Sequence, residues 1–145
     1  MTAFRDDALR PVADIRRIGL KGSMLDAATI DEAALRRGFK RKGKTNWVRR
    51  TAAFVQLVNL QGSAWSEDQS YINFALWPLA LGEPASIAES KFMFRTRAED
   101  LGATDPDGLF DAADRLQSLE DLQAALIAGT ASGLVSVELR RLLDD

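Results

Sequence analysis

Residues 38–45 match a phosphate-binding template, G-x-x-x-x-G-K-[ST], with the sequence GFKRKGKT. The template binds phosphate when it follows a buried strand and opens a helix, because backbone N–H groups at the helix start then surround the phosphates. Here a helical pattern runs into Gly38 and a strand pattern leaves Thr45. No apolar strand ends in an aspartate that would position magnesium. We therefore predict a glycine helix cap and a basic helix-to-strand turn, and no nucleotide site.

The segment 36–50 is the most basic part of the chain. It carries eight cationic side chains, with Phe39 and Trp47 between them and no acidic residue. Cations interleaved with aromatic rings could bind a phosphate backbone and stack bases, so a nucleic-acid partner is one hypothesis. The overall pI near 5.2 argues against it and favours a solvated turn. The candidate basic patch is Lys40, Arg41, Lys42, Lys44 and Arg49.

Catalytic constellations are hard to find in this composition. The chain has no histidine and no cysteine, which removes Ser/His/Asp triads, thiol chemistry and ordinary zinc sites. Asp105 and Asp107 flank Pro106 ahead of Gly108, a pattern typical of a turn and helix cap and not of a calcium loop. We expect no catalytic residue, no metal and no cofactor, and an enzyme using Asp, Glu, Lys or Ser chemistry remains an open alternative.

Amide and aromatic side chains alternate along the predicted strands. Asn59 and Gln61 share one face of their strand, and Tyr71, Asn73 and Trp77 share the face opposite an apolar one. If these faces coincide and arginines 95 and 97 join them, one sheet surface presents amides, rings and guanidinium groups. Such groups suit binding better than proton transfer. An ordinary exposed antiparallel face is the alternative. The candidate binding residues are Asn59, Gln61, Tyr71, Asn73, Trp77 and Arg95.

Hydrophobic periodicity predicts the elements that would position these residues. Period-two patterns predict four strands, at 46–51, 53–61, 70–77 and 91–97, the last with Phe92 and Phe94 on one side. Helical patterns cover 11–18 and 24–37 before the strands, and 107–117, 119–128 and 134–143 after them. At 145 residues the chain predicts one α+β domain, residues 1–145. We expect an antiparallel four-stranded meander with helices packed on one sheet face, and a helical C-terminal part from about residue 105.

Charge is unevenly distributed although the net charge is only −2. Residues 1–97 hold 16 basic and 10 acidic side chains, whereas residues 98–145 hold 3 and 11. Because the acidic part is amphipathic, this asymmetry favours complementary elements packed side by side over a nucleic-acid surface.

The compartment follows from what the sequence lacks. Acidic residues stand where a signal peptide would be basic, and no apolar run is long enough to cross a bilayer. Absence of cysteine suits the reducing cytoplasm. We therefore predict a cytoplasmic protein with no membrane partner.

A family resemblance adds to these patterns. The Gly38-Phe39 pair with its basic followers, residues 47–50, residues 58–61 leading to Ser63 and Trp65, and residues 71–74 resemble the domain of unknown function 4304 family over about residues 38–77. The resemblance implies a bacterial α+β protein with no assigned activity, cofactor or catalytic residue. It also implies candidate ligand contacts at the positions matching the family pattern, namely Asn59, Gln61, Ser63 and Asn73.

These observations lead to one hypothesis with two alternatives. The leading hypothesis is a non-catalytic binding or interaction module that recognises a protein or small polar ligand with its polar sheet face. The alternatives are a nucleic-acid binder using residues 36–50 and an undiscovered enzyme. The sequence leaves the oligomeric state open.

Overall fold

The computed structural model describes residues 27–62 and 70–145, so the predicted helix 11–18 and Ser63 lie outside the described residues. Four α-helices are present in the described part of the chain: α1 (Ala27–Arg36), α2 (Pro106–Asp114), α3 (Leu119–Ala128) and α4 (Val137–Asp144). The strands are β1 (Lys40–Lys42), β2 (Asn46–Arg50), β3 (Phe54–Gly62), β4 (Ser70–Pro78), β5 (Phe94–Arg97) and β6 (Leu134–Val135). The α+β class is confirmed.

All six strands form one antiparallel sheet in the order of the chain. The predicted meander is confirmed, but four strands is wrong. The sequence pattern missed Lys40–Lys42, whose three side chains are all exposed and carry no apolar alternation, and Leu134–Val135, which has only two residues. Short strands of this kind are held by their neighbours and leave little signal in the sequence.

The segment resembling a phosphate loop is a β-hairpin that follows a helix. Gly38 ends α1 with a φ of 82°, β1 follows, and Gly43 turns the chain into β2 with a φ of 68°. Both glycines occupy the left-handed region that other residues rarely adopt. No helix starts after Thr45 in this hairpin, so no ring of backbone donors faces the loop.

The C-terminal helices are capped by polar side chains. Asp105 accepts a 2.7 Å bond from the Gly108 N–H, as its position before Pro106 predicts, and Ser118 accepts from the Asp121 N–H at 3.0 Å. The predicted helix 134–143 is wrong at its start, since Ser136 caps α4 and the two preceding residues pair with β5 instead.

The larger apolar core lies between the four helices and one face of the sheet. Its strand residues include Trp47, Val58, Phe74 and Phe94, all fully buried. The prediction that the helices pack on one sheet face is therefore consistent with the position of this core.

A smaller cluster covers part of the opposite face, where Val55, Leu57 and Ala75 pack with Phe92. Placing Phe92 beside Phe94 on one side is thus wrong. A 3₁₀ helix at Glu89–Lys91 precedes Phe92, and β5 begins only at Phe94, so the strand alternation does not extend back to Phe92.

Candidate functional site

The sheet register brings the predicted polar residues onto one face. Cross-strand pairs link Lys42 to Asn46, Asn46 to Asn59, Asn59 to Asn73 and Asn73 to Arg97. Five neighbouring strands thus contribute one residue each to a straight line across the sheet. We call its central residues, Asn46, Asn59 and Asn73, the amide row; a cation stands at either end.

Hydrogen bonds join the side chains of the amide row. Asn59 Nδ2 donates to Asn46 Oδ1 at 2.8 Å, and Asn73 Nδ2 donates to Asn59 Oδ1 at 3.0 Å. Asn73 Nδ2 also donates to Gln61 Oε1 at 2.9 Å. Asn73 is only 6% exposed, whereas Gln61 is exposed. The row is therefore held in one geometry by its own hydrogen bonds and by the buried Asn73, with polar groups presented at its margins.

Arg97 and Tyr71 form the second part of this face. The Arg97 guanidinium carbon lies 4.0 Å from the centre of the Tyr71 ring, a cation–π contact. Tyr71 pairs across the strands with Gln61, next to the amide row. The exposed guanidinium thus covers the ring and adds a fixed positive charge to this end of the row.

Asp100 lies in the 3₁₀ helix that follows β5 and interacts electrostatically with Arg97. Partial burial raises the pKa of the Asp100 carboxyl, and the positive charge of Arg97 opposes that rise. The local charge at the Arg97 end of the row therefore depends on pH.

Trp77 and Arg95 share the face, and their contacts lie apart from the amide row. Trp77 makes an edge-on contact with Phe92, with ring centres 6.2 Å apart, and its Nε1 donates to the Gly82 carbonyl at 2.7 Å. Arg95 Nε lies 3.0 Å from a Glu89 carboxylate oxygen. Trp77 thus packs against the smaller cluster and Arg95 pairs with Glu89. Neither side chain takes part in the hydrogen bonds of the amide row.

Asn46 is the member of the row that the sequence prediction missed. It stands at the first position of β2, two residues before half-buried Val48. Strand periodicity puts it on the same face as Val48, but only the register shows that it meets Asn59. Lys42 was predicted as part of the basic patch. It stands at the end of the row because β1, a strand that the sequence did not predict, pairs it with Asn46.

The basic segment 36–50, which includes the predicted basic patch, is divided between the two sides of the sheet. Three arginines face carboxylates of α2: Arg36 Nη2 to Asp107 at 2.6 Å, Arg37 Nη2 to Asp111 at 2.7 Å and Arg49 Nη1 to Asp114 at 2.8 Å. This layer shows basic and acidic elements packed against each other, as the charge distribution predicted. Arg49 is therefore part of the fold and does not face solvent as a free cation.

The aromatic residues of the basic segment are buried. Phe39 is 1% exposed and packs edge-on against Phe110, with ring centres 4.9 Å apart. Trp47 is fully buried, and its Nε1 donates to Asp31 Oδ1 at 2.9 Å. Neither ring offers a face on which a base could stack. The Arg41 guanidinium lies over the Trp47 ring, 5.3 Å from its centre. Of the predicted basic patch, the three lysines at 40, 42 and 44 therefore remain as exposed cations without such a contact.

Two kinds of feature were not found in residues 27–62 and 70–145. No three carboxylates there come close enough together to hold a metal ion. In the same ranges no helix is both long and apolar enough for a bilayer.

The comparisons with known proteins agree with the resemblance in the sequence. The model of a domain of unknown function, DUF4304, matches residues 30–130, a longer stretch than residues 38–77. The match adds α1 from Ile30 onward, β5, α2 and α3 to the family region. Searches among curated proteins and solved structures gave no match. The chain belongs to the DUF4304 family, whose function is unknown.

Proposed function

We propose that this protein is a non-catalytic binding module whose ligand contacts the sheet face around the amide row. The observation that carries the proposal is the line of cross-strand partners from Lys42 through the amide row to Arg97. Polar residues placed this regularly combine hydrogen-bond donors, acceptors and two charges on one rigid surface. Such a surface suits recognition of a polar ligand or a protein loop.

Preorganisation supports the proposal. A ligand that orders flexible side chains loses affinity to their entropy, whereas the amide row is already fixed by its own bonds. Exposed Gln61 and Arg97 at its margins are the side chains a ligand meets first. Cytoplasmic location is part of the same proposal, and the absence of cysteine supports it.

Nucleic-acid binding through residues 36–50 has less support. Burial of Phe39 and Trp47 removes the stacking groups, and pairing with α2 occupies three of the arginines. An enzyme using Asp, Glu, Lys or Ser has no observation in its favour at the amide row, whose central groups are all amides.

Thermal melting against a ligand panel tests the proposal. The panel contains sugars, amino acids, short peptides, magnesium ATP and short RNA and DNA oligonucleotides. A ligand present at a hundredfold excess over its Kd stabilises the folded state by about 2.7 kcal/mol, which raises Tm by about 5–10 °C. We expect at least one polar ligand to do so.

Variants then place the ligand on the face. Gln61→Ala combined with Arg97→Ala should abolish the shift, because both side chains are exposed and their loss leaves the centre of the row in place. Lys91→Ala combined with Arg115→Ala removes exposed side chains elsewhere and should leave the shift unchanged. If the Tm shift persists in the Gln61→Ala, Arg97→Ala variant, the ligand does not bind at the face of the amide row. Loss of an oligonucleotide shift on substituting the three exposed lysines would favour nucleic acid instead.

A further inference from the structure

The strand β1 is one edge of the sheet, and its side chains alternate in a way that fits a partner strand. Lys40 and Lys42 pair with Val48 and Asn46, so both lie on the face that carries the amide row, and Arg41 lies on the helix face opposite Trp47. Within residues 27–62 and 70–145, β1 is paired on one side alone, with β2. In an antiparallel pair, alternate backbone N–H and C=O groups point away from the partner strand, and an edge strand leaves them open to further pairing.

This edge is held rigid by its surroundings. Phe39, immediately before β1, is buried, and its N–H donates to the Ala34 carbonyl at 3.0 Å. Arg41 Nη2 donates to the Lys44 carbonyl at 2.7 Å across the hairpin turn. A fixed strand is a better template than a mobile loop, since the entropy of ordering has already been lost.

The charge of the edge selects the kind of partner. Lys40, Lys42 and Lys44 are exposed, and within the described ranges none of them has an acidic side chain at ion-pair distance. A second copy of β1 would bring like charges together, which destabilises a strand pair. The opposite edge of the sheet is the two-residue, uncharged β6, which offers no complementary charge.

We propose that the β1 edge binds an extended acidic polypeptide segment by strand addition. The partner backbone pairs with the open side of β1, and carboxylates two residues apart lie opposite Lys40 and Lys42. The two proposals share Lys42, but strand addition does not depend on ligand binding at the amide row, because it uses the open backbone edge of β1. The alternative is that these lysines only protect the edge from pairing with other strands. In that case an acidic strand should not bind.

Fluorescence anisotropy with a defined probe tests the strand addition. The probe is a fluorescein-labelled peptide in which glutamate alternates with threonine, and the buffer has low salt because exposed charges are screened at high salt. We expect saturable binding. The double variant Lys40→Glu and Lys42→Glu should weaken it by at least about tenfold, and the milder pair Lys40→Gln and Lys42→Gln should weaken it less.

Two matched controls separate edge pairing from general charge and from the other proposed site. Lys91→Glu with Arg140→Glu makes the same change of net charge at exposed positions and should alter the Kd by about twofold or less. Gln61→Ala with Arg97→Ala should leave peptide binding intact, because it removes only side chains at the amide row. Circular dichroism and Tm confirm that each variant is folded.

Backbone pairing has its own test. The same peptide with N-methyl groups on alternate residues keeps its carboxylates but loses the donors that pair with β1, and it should not bind. Equal binding of the methylated peptide would overturn strand addition. Tighter binding of a thymidine oligonucleotide through the same lysines, or no saturable binding of the acidic probe, would overturn it as well.

Discussion

Arg49 and Gln56 face each other across β2 and β3: Nε and Nη2 of the guanidinium both donate to Gln56 Oε1, at 2.9 and 2.6 Å. Gln56 is fully buried, and its Nε2 donates to the carbonyls of Ala113 and Leu116 at 3.0 and 3.1 Å. One amide therefore connects the sheet to the end of α2 and to the residues that follow it.

Replacing Gln56 with leucine should lower the free energy of unfolding by about 2–4 kcal/mol. The change removes the donor to the buried Leu116 carbonyl, one of three donors to the Ala113 carbonyl and the acceptor of two guanidinium N–H groups. Polar groups that lose a buried partner are costly. Urea denaturation measures the loss. Gln123→Leu on partly exposed α3 is the control, and a similar cost for both variants would contradict the role assigned to Gln56.

The ion pairs that Arg49 of β2 and Arg36 of α1 make with α2 should differ in strength with burial. The Arg49 side chain is 15% exposed in its pair with Asp114, whereas Arg36 and Asp107 are both more than half exposed. Double-mutant cycles to alanine should give a coupling above about 1 kcal/mol for the first pair and below about 0.5 kcal/mol for the second. High salt should remove only the weaker coupling, and equal couplings would contradict the burial argument.

Gly133 should tolerate no side chain. A Cβ built there would lie 2.4 Å from the Arg95 carbonyl oxygen and 2.9 Å from Thr96 Cβ, so β5 and β6 would have to separate. Gly133→Ala should lower the free energy of unfolding by about 1–3 kcal/mol and reduce Tm. Gly62→Ala, where nothing lies within 4 Å of the added carbon, is the control and should have a much smaller effect.

Asp100 should make stability depend on pH at the Arg97 end of the amide row. Its folded pKa is raised above the ordinary 3.8 by burial, so the folded state disfavours the ionised carboxyl. This destabilisation is fully present above the folded pKa and disappears as pH falls below 3.8, where both states are protonated.

Asp100→Asn should therefore stabilise the protein at pH 7. We expect less than about 1 kcal/mol, because the side chain is partly exposed and solvent screens its interactions. Urea denaturation across the acid range measures the difference between variant and wild type, which should vanish at low pH. A difference that stays constant with pH would show that titration of Asp100 is not its cause.

The sequence predicted the two faces of β3 and β4 but not the register that joins these strands. Alternation alone put Asn59 and Gln61 on one side of β3, and Tyr71 and Asn73 on one side of β4, since the period of a strand is two residues. That these sides coincide depends on the register between strands, to which turns and distant packing contribute. The binding role of these residues remains a prediction.

Other features could not be predicted because tertiary contacts produce them. Lys40–Lys42 is a strand through its hairpin with β2, although its own composition is typical of a solvated turn. Gln56 occupies a core position inside a strongly apolar strand, and only its bonds to Arg49 and to the carbonyls near the end of α2 explain a polar residue there.

The meander order of the strands has a consequence for how the chain acquires its structure during synthesis. Every strand after β1 pairs with the strand made immediately before it, so the sheet grows by one neighbour at a time as the chain leaves the ribosome. Contacts of short sequence separation favour fast folding. Of the four described helices, only α1 is available to cover the apolar side of this growing sheet until α2 arrives more than 50 residues after β2, and the aspartates of α2 then meet arginines already in position. During that interval the partly covered apolar face makes the nascent chain prone to aggregation.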